Sequence, residues 1–258
     1  MAQVHPTAVV HPGARLHETV EVGPYSIIGE RVTIGEGSRI GPHVVIDGRT
    51  TIGARNRIFP FASVGGAPQD LKYAGEDTQL IIGDGNTIRE SATLNIGTAG
   101  GGGVTRVGNN NLFMAYSHVA HDCVVGNGCI IANSVALAGH VTLEDFVILG
   151  GLAAVHQFTR LGKHAFIAGG SMVTMDVAPY CTAQGDRAEL AGLNVVGLQR
   201  HGFSEEQIGR IKEAYKVLFR AKLQLSEAVA QLQTEMGGHS EIEYLLNFVN
   251  QSKRGLTR

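Results

Sequence analysis

The sequence predicts a mainly β protein, a parallel β-helix of hexapeptide repeats that is followed by a C-terminal α-helical domain. Three observations lead to this fold class: a six-residue period of aliphatic residues, a high glycine content and a helical period near the C-terminus. The aliphatic period runs without a break from Val4 through Val10 and Leu16 to Val64. It fits neither a 3.6-residue helix nor an alternating strand. A hexapeptide period is typical of a parallel β-helix.

The hexads also account for the composition of the chain, which has 35 glycines and no tryptophan among 258 residues. Such a composition favours a fold with many turns. Each hexad supplies one short strand and one tight turn, and three hexads form one triangular coil. Residues 18 positions apart in the sequence are therefore expected to stack at about 4.8 Å, the spacing of neighbouring strands.

The fifth position of each hexad is small or β-branched and is expected to point into the narrow interior, as at Ala14. Cys123 and Cys129 occupy this position. Cys123 follows a histidine and an aspartate, which would suit a nucleophile. We predict instead that it is a small buried core residue, because its hexad position points inward.

The hexapeptide period is interrupted twice, so we predict loop insertions near residues 65–80 and 97–106. A loop that is excluded from a solenoid is either a tolerated insertion or a binding surface. The first loop is polar and contains Tyr73, which favours binding. We therefore predict a β-helix over residues 1–186 that carries both insertions.

After the last hexad the period becomes helical, and we predict a helical domain over residues 187–258. Ser204 and Gln207 have the spacing of a capping box that begins a helix. Ser226 is predicted to cap a second helix, which Gly237 ends. A third helix is predicted from four apolar positions at helical spacing. These are Ile242, Leu245, Leu246 and Val249.

Charge and composition exclude several classes of function. The formal net charge of −2 gives no strong attraction to nucleic acid. No apolar run reaches the roughly 18 residues of a membrane-spanning helix, and the N-terminus lacks the basic and apolar segments of a secretory signal. The three cysteines are too few for a disulfide framework, so we expect reduced thiols and a cytoplasmic location.

Four histidines gather in one outward patch when the hexads are stacked. His121 falls in one column with Gly139 and Gln157, because these positions are 18 residues apart. Asp122 falls in the adjacent column with His140. The other histidines of the predicted patch are His118 and His156. The alternative is that these histidines are unrelated, solvated side chains.

Five segments carry a similarity that goes beyond the hexapeptide period. They are DLKYAGE (70–76), MAYSHVAHDCVVGN (114–127), LAGHV (137–141), AVHQF (154–158) and GLQRHGF (197–203). They resemble the bacterial UDP-N-acetylglucosamine O-acyltransferase family, over essentially the whole chain and including the terminal RGLTR. The hexapeptide period alone says little about function, whereas HVAHDC and AVHQF in this register are specific.

The resemblance implies a left-handed parallel β-helix that forms a homotrimer, with active sites between subunits. That hand is an exception to the usual right-handed crossover. It also implies an acyltransferase that moves a 3-hydroxyacyl chain from the thioester of acyl carrier protein to the 3-OH of UDP-N-acetylglucosamine, the first step of lipid A biosynthesis. Neither a metal nor another cofactor is expected.

The resemblance further implies roles for individual residues. His121 would be the general base, Asp122 would orient it, and the N–H of Gly139 would bind the oxyanion. Gly169 would lie at the end of the acyl groove and leave room for a chain of about fourteen carbons. Contacts to the sugar, the nucleotide, the acyl chain or the carrier arm are expected from Gln69, Asp70, Lys72, Asn95, His118, His140, His156, Gln157, Asn194 and Arg200.

These roles agree with the chemistry of the residues. A sugar hydroxyl is a poor nucleophile near neutral pH and needs a base, and histidine titrates in that range. A paired carboxylate stabilises the imidazolium that forms. Attack on a thioester builds an oxyanion, which a fixed backbone N–H can stabilise.

Some positions depart from the family pattern. Asn95 and Ile96 stand where the family often has His-Arg. Val196 stands where an acidic residue is common, and His201 replaces the second of two arginines. Because these positions belong to the sugar and nucleotide contacts, they leave the acceptor open between a 3-hydroxyl and a 3-amino UDP-sugar.

Three other functions would use parts of the same sequence pattern. A related N-acyltransferase of the same fold is disfavoured by the loops and the helical tail. A hexapeptide carbonic anhydrase would bind zinc through His118, His121 and His140, but it gives no role to Asp122 or Gln157. A non-catalytic, ice-binding or scaffold β-helix would need a flat array of threonines, and the sequence contains none.

Overall fold

The computed structural model describes residues 2–258, so residue 1 of the predicted β-helix lies outside the described part. The chain winds into a triangular coil in which the strands of successive coils pair in parallel. His118 lies opposite Ala136, and Ala136 lies opposite Ala154, at an interval of 18 residues. This interval is the one that the hexapeptide period predicts. The coil is left-handed, as the resemblance implied.

Each side of the coil is one sheet. The first sheet contains β1 (Gln3–Val4), β4 (Glu21–Val22), β7 (Arg39–Ile40), β10 (Arg57–Ile58), β13 (Thr87–Ile88), β16 (Leu112–Phe113), β19 (Ile130–Ile131), β22 (Ile148–Leu149), β25 (Phe166–Ile167), β27 (Cys181–Gln184) and β28 (Glu189–Leu193). The second contains β2 (Val9–Val10), β5 (Ile27–Ile28), β8 (Val45–Ile46), β11 (Ser63–Gly66), β14 (Thr93–Asn95), β17 (His118–Val119), β20 (Ala136–Leu137), β23 (Ala154–Val155) and β26 (Met172–Val173). The third contains β3 (Arg15–Leu16), β6 (Val32–Ile34), β9 (Arg49–Ile52), β12 (Gln79–Ile82), β15 (Val104–Val107), β18 (Val124–Val125), β21 (Thr142–Leu143) and β24 (Arg160–Leu161).

Three columns of turns join the sheets and form the edges of the coil. The first corner joins the first sheet to the second, as at residues 168–171. The second corner joins the second sheet to the third, as at residues 120–123. The third corner joins the third sheet to the first, as at residues 162–165.

Aliphatic side chains fill the interior, and Ile28 and Leu137 are among those fully buried. Burying each such side chain stabilises the fold by about 1.5–3 kcal/mol. Buried polar groups are tolerated where they form hydrogen bonds with one another. One ladder of three asparagines does so, because the carboxamide oxygens of the first two accept hydrogen bonds from the next asparagine along the coil, and that of the third accepts from the N–H of Cys129. Its members are Asn56, Asn86 and Asn111.

The cysteines occupy the small inward position, as predicted. Cys123 and Cys129 are fully buried, and burial raises the pKa of each thiol to about 12. The Cys123 Sγ–H donates to the carbonyl oxygen of Ala138 at 3.1 Å. The prediction that Cys123 is a core residue is therefore confirmed. Ala14, in the first coil, is only half-buried because no further coil covers that end.

Two loops interrupt the coil at residues 67–78 and 96–103, and both leave it at the second corner. They are shorter than the predicted insertions. The loops are shorter because β12 and β15 already begin at Gln79 and Val104, which pair with each other. The loops are therefore anchored at both ends by ladder hydrogen bonds.

Four helices follow the antiparallel pair β27–β28: α1 (Val195–Arg200), α2 (Glu205–Phe219), α3 (Leu225–Met236) and α4 (Ser240–Gln251). The capping box of Ser204 and Gln207 is confirmed at the start of α2. The prediction for Ser226 is wrong, because Gln224 is the N-cap of α3 and its N–H donates to the Glu227 carboxylate. Helix α1 was not predicted, and the division of the chain at residue 186 stays a prediction.

Aromatic contacts attach the helices to the third corner. The ring of His164 stacks on Phe146 at 5.0 Å and also contacts His201 and Phe203. The Tyr244 hydroxyl donates to the Glu144 carboxylate at 2.6 Å. Helix α1 therefore has a defined place on this edge of the coil. Of the helices within residues 2–258, none has both the length and the apolar character needed to cross a membrane.

Candidate active site

The second corner brings the predicted histidine patch together. Asp122, His140 and Phe158 occupy the same turn position in successive coils, and all three have a left-handed φ of about 60°. The rings of His140 and Phe158 stack with centroids 4.4 Å apart, and His121 meets His140 edge-on at 5.1 Å. The predicted columns are therefore confirmed.

His121 and Asp122 form a hydrogen-bonded pair, with 2.7 Å between Nδ1 and Oδ2. The Asp122 side chain is only 1 % exposed, which corrects the expectation of a freely outward position. The loop of residues 96–103 covers it. The N–H of Thr98 donates to Oδ1 at 2.9 Å, and the Thr98 hydroxyl donates to Oδ2 at 2.6 Å. The N–H of Asp122 in turn donates to the hydroxyl of Thr105 at 2.8 Å.

Because Nδ1 faces the carboxylate, the other ring nitrogen of His121 is available to accept a proton. That nitrogen, Nε2, lies directly over Gly139. A Cβ atom added at Gly139 would be 2.7 Å from Nε2 and 2.6 Å from Cε1. The imidazole therefore occupies space that only a glycine leaves free.

The backbone N–H of Gly139 is unpaired, because within residues 2–258 it donates to no other group. It stands two residues after the aliphatic Leu137, at a turn position that takes no part in the ladder of hydrogen bonds. Six of the seven prolines occupy the same position, which fits a place where no N–H is required. They are Pro6, Pro12, Pro24, Pro42, Pro60 and Pro179. The His121 ring and an unpaired N–H thus lie side by side.

Two further histidines flank the pair, and the pKa of each is lowered. His118 Nδ1 and the Thr93 hydroxyl are 2.7 Å apart. Burial, together with nearby His121, lowers the pKa of His118. Burial also lowers the pKa of His140, although the nearby Asp122 carboxylate offsets part of that change. Neutral imidazoles can donate to and accept from the hydroxyls of a ligand.

His156 and Gln157 lie one coil above Gly139 and are exposed, as predicted. The C-terminal tail reaches His156, since Arg254 lies 2.8 Å from its Nδ1 and also donates to the Thr174 carbonyl. Beside His140, a groove of about 860 Å³ separates this tail from the third sheet. Arg254 was not predicted, and no period in the sequence marks it.

The loop of residues 67–78 reaches the same corner. The Asp70 carboxylate accepts from the N–H of Lys72 at 3.0 Å and lies close enough to raise the pKa of His140 slightly against the effect of burial. Gln69 and Lys72 are exposed. The loop is tied to the third sheet by Asp77, which pairs with Arg31 and Arg49.

Asn95 is 7 % exposed and does not line the surface of the site as expected. Its Nδ2 donates to the carbonyl oxygens of Gly66 and Ala67 and so holds the base of the loop at residues 67–78. Ile96 is buried beside it. The sequence could not indicate this, because the loop base is outside the hexapeptide register.

Three predicted contacts lie elsewhere on the chain. Asn194 is at the third corner, where its Nδ2 donates to the His164 carbonyl and its Oδ1 accepts from Gly197 N–H. Arg200 ends the helix that follows and is exposed. Gly169 is exposed in a turn of the first corner, where an added Cβ would meet the Gly151 carbonyl oxygen at 3.2 Å. A single chain therefore does not bring these residues to His121.

The zinc set proposed for a carbonic anhydrase does not form as expected. His121, Asp122 and His140 are close enough to share a metal ion, but His118 is paired with Thr93 instead. Both oxygens of Asp122 already accept hydrogen bonds from Thr98, and Oδ2 also faces His121. These donors suit a carboxylate that orients an imidazole better than one that binds a metal.

Comparison with known proteins agrees with this geometry. The model of the bacterial transferase hexapeptide family matches residues 13–48 and 105–139, and that of UDP-N-acetylglucosamine O-acyltransferase, domain 2, matches residues 176–257. A protein of Myxococcus xanthus, named acyl-(acyl-carrier-protein)–UDP-N-acetylglucosamine O-acyltransferase, is 74 % identical over 258 residues, with 100 % of both chains covered.

Solved structures match over nearly the whole chain, at lower sequence identity. The UDP-N-acetylglucosamine O-acyltransferase of Moraxella catarrhalis RH4 has a TM-score of 0.96 at 43 % identity, with 99 % of both chains covered. The UDP-N-acetylglucosamine acyltransferase of Bacteroides fragilis 9343 has a TM-score of 0.97 at 41 % identity, covering 99 % of this chain and 100 % of that one.

The hexapeptide coil and the histidine–carboxylate pair at its corner place the chain among the bacterial hexapeptide transferases. Within that class, the similarity extends over the loops and the helical tail as well as the coil. The chain belongs to the UDP-N-acetylglucosamine O-acyltransferase family.

Proposed function

We propose that the chain transfers a 3-hydroxyacyl group from acyl carrier protein to the 3-OH of UDP-N-acetylglucosamine, the first step of lipid A biosynthesis, in the cytoplasm. The observation that carries the proposal is the His121–Asp122 pair beside the unpaired N–H of Gly139. A base, an orienting carboxylate and an oxyanion donor are what acyl transfer to a hydroxyl requires.

In the proposed reaction, His121 Nε2 accepts the proton of the sugar 3-OH while that oxygen attacks the thioester carbonyl carbon. Asp122 stabilises the imidazolium, and the Gly139 N–H donates to the oxyanion of the tetrahedral intermediate. Collapse breaks the C–S bond, and the imidazolium returns its proton to the departing thiolate of the carrier arm. Cys123, with its buried thiol, takes no part, so no acyl-enzyme forms.

The remaining residues of the corner would bind the substrates. His118, His140, His156 and Gln157 line the corner itself, and the loop that leaves the coil at this corner carries Gln69, Asp70 and Lys72. They would contact the sugar, the acyl chain or the carrier arm. No metal and no other cofactor has a part in the proposed reaction.

The acceptor is proposed to be the 3-hydroxyl sugar, although Asn95 and Ile96 depart from the family pattern. Both are buried at the base of the loop, so their side chains are poorly placed to select a 3-amino group. Mass spectrometry of the products from UDP-N-acetylglucosamine and its 3-amino analogue, with a panel of acyl carrier protein thioesters, tests this. Product formed from the 3-amino sugar alone would contradict the proposal that UDP-N-acetylglucosamine is the acceptor.

The proposal requires a homotrimer in which each site draws on two chains. Asn194 and Arg200 would contact the UDP portion, yet they lie at the third corner, across the third sheet from His121. We expect sedimentation to give a trimer. We also expect a mixture of His121→Ala and Arg200→Ala chains, unfolded and refolded together, to regain activity that neither variant has alone. A fully active monomer would rule out shared sites.

Gly169 is proposed to mark the end of the acyl groove and to allow a chain of about fourteen carbons. A side chain there would project from the first corner over the turn of Gly151. We expect Gly169→Met to shift the preferred acyl chain to a shorter one, because the added side chain fills the groove. Competition between thioesters of different length measures this. An unchanged length profile would mean that Gly169 is only a turn residue.

A further inference from the structure

We propose that Thr98 is a positioning residue for the Asp122 carboxylate, a role that rests on the proposed function of the His121–Asp122 pair. Thr98 lies in the loop of residues 96–103, which the hexapeptide period excludes from the coil. It immediately precedes the short 3₁₀ turn Ala99–Gly101. The loop would thus contribute to the catalytic site and would not be a tolerated insertion.

Thr98 forms hydrogen bonds with the Asp122 carboxylate, the same group that pairs with His121. Its N–H donates to Oδ1 at 2.9 Å and its hydroxyl donates to Oδ2 at 2.6 Å. His121 Nδ1 approaches that same Oδ2 at 2.7 Å. The position of Oδ2 sets the orientation of the imidazole, and the Thr98 hydroxyl therefore helps to set the direction of Nε2.

The loop is closed tightly around the carboxylate. The N–H groups of Gly101 and Gly103 both donate to the Thr98 carbonyl, at 3.1 and 2.8 Å. A Cβ atom at Gly101 would overlap the Asp122 carboxylate, at 2.0 Å from its Cγ. Gly101 therefore packs against the Asp122 carboxylate and, together with Thr98, shields it from water. In a site closed to water each hydrogen bond to a charge is stronger.

Thr98→Val tests the hydroxyl, because valine keeps the shape of threonine and the backbone N–H but removes the donor to Oδ2. We expect kcat to fall about 10- to 100-fold, since a hydrogen bond to a charged group is lost. KM is expected to change little, because the Thr98 side chain is buried against the Asp122 carboxylate. Thr98→Ser, which keeps the hydroxyl, is expected to restore kcat.

A matched control is Thr159→Val. Thr159 is buried as Thr98 is, and within residues 2–258 its hydroxyl has no hydrogen-bond partner. The same substitution there is expected to leave kcat and KM at wild-type values. If Thr98→Val unfolds the chain, Thr98→Ala serves instead, because it also removes the hydroxyl and keeps the backbone N–H.

A double-mutant cycle separates positioning from a merely structural role. In an Asp122→Ala background, Thr98→Val is expected to cause no further loss of kcat. Equal losses in both backgrounds, or an unchanged kcat in Thr98→Val, would overturn the assignment. The product assay on the wild-type protein tests the proposed function separately. If the wild type is active and Thr98→Val has no effect, only the role of Thr98 is rejected.

A readout without turnover completes the test. The Nδ1 proton of His121, hydrogen-bonded to Asp122, can be followed by NMR of histidine-labelled protein, with His121→Ala used to assign it. We expect Thr98→Val to move or broaden this signal, and Thr159→Val to leave it in place. An unmoved signal in Thr98→Val would show that the hydroxyl does not position the pair.

Discussion

His121→Ala is expected to lower kcat by about 10²–10⁴-fold, the usual contribution of a general base. The reason is that Nε2 of His121 lies over Gly139 while its Nδ1 is paired with the buried carboxylate of Asp122. Folding should be nearly unchanged, because the imidazole lies on the turn and not in the interior of the coil. Steady-state kinetics and thermal melting measure the two effects separately.

The pattern across neighbouring residues is more informative than one value. Asp122→Ala should lose less kcat than His121→Ala, since Asp122 orients the base and does not transfer the proton. Cys123→Ala should keep most activity, because the thiol is buried and its pKa is raised to about 12. An inactive Cys123→Ala with an acyl group trapped on Cys123 would establish a covalent mechanism. Loss of activity on chelation, with recovery on adding zinc, would make the histidines metal ligands.

The coil could be predicted because the hexapeptide period is a local property that repeats. Once three hexads make one coil, the neighbours of Leu137 inside the stack follow from counting, and so does the burial of Cys123. The ends of the loops could not be predicted from the period. They depend on how far β12 and β15 continue to pair. The extent of pairing is set by the balance between ladder hydrogen bonds and the conformational entropy of the loops.

Part of the site could be predicted in the same way. His121 and Gly139 are 18 residues apart, so the stack alone puts the imidazole against the glycine. Thr98 escaped prediction because it reaches Asp122 from a loop whose path has no period. Asn95 was expected to contact substrate because the family pattern places it near the site. In the structure its side chain holds the base of the loop at residues 67–78.

The helical tail shows a third limit. The apolar spacing predicted helices α2 to α4, yet the N-cap of α3 was misplaced because Glu227 reaches back to Gln224. Short helix α1 has only six residues, too few for a periodic pattern to be recognised. Its place at the third corner depends on aromatic packing around His164, which is a long-range contact.

Gly139→Ala is expected to lower kcat by about 10²-fold or more, because a displacement of roughly 1 Å in a reacting group has that effect. The added Cβ would lie 2.6 Å from Cε1 and 2.7 Å from Nε2 of His121. Real carbon contacts are longer, so the imidazole must move away from the turn. It would leave both the Gly139 N–H and the position from which it reaches the sugar hydroxyl.

Backbone strain does not explain such a loss. Gly139 is outside the left-handed region of φ, and the equivalent turn position accepts proline elsewhere in the coil, so alanine can adopt its conformation. Thermal melting should therefore be close to wild type. Gly209→Ala is the control, because Gly209 is exposed in α2 and an added Cβ meets nothing within 4 Å. That variant should keep kcat and become slightly more stable.

Combining Gly139→Ala with His121→Ala identifies the cause. If the methyl group acts by displacing the imidazole, it should add little to the loss already caused by removing His121. If it acts on the N–H that binds the oxyanion, the two losses should multiply, since that group still stabilises the intermediate when the base is absent. Wild-type kcat in Gly139→Ala would contradict the placement of His121, because the added methyl group and the catalytic imidazole cannot occupy the same space.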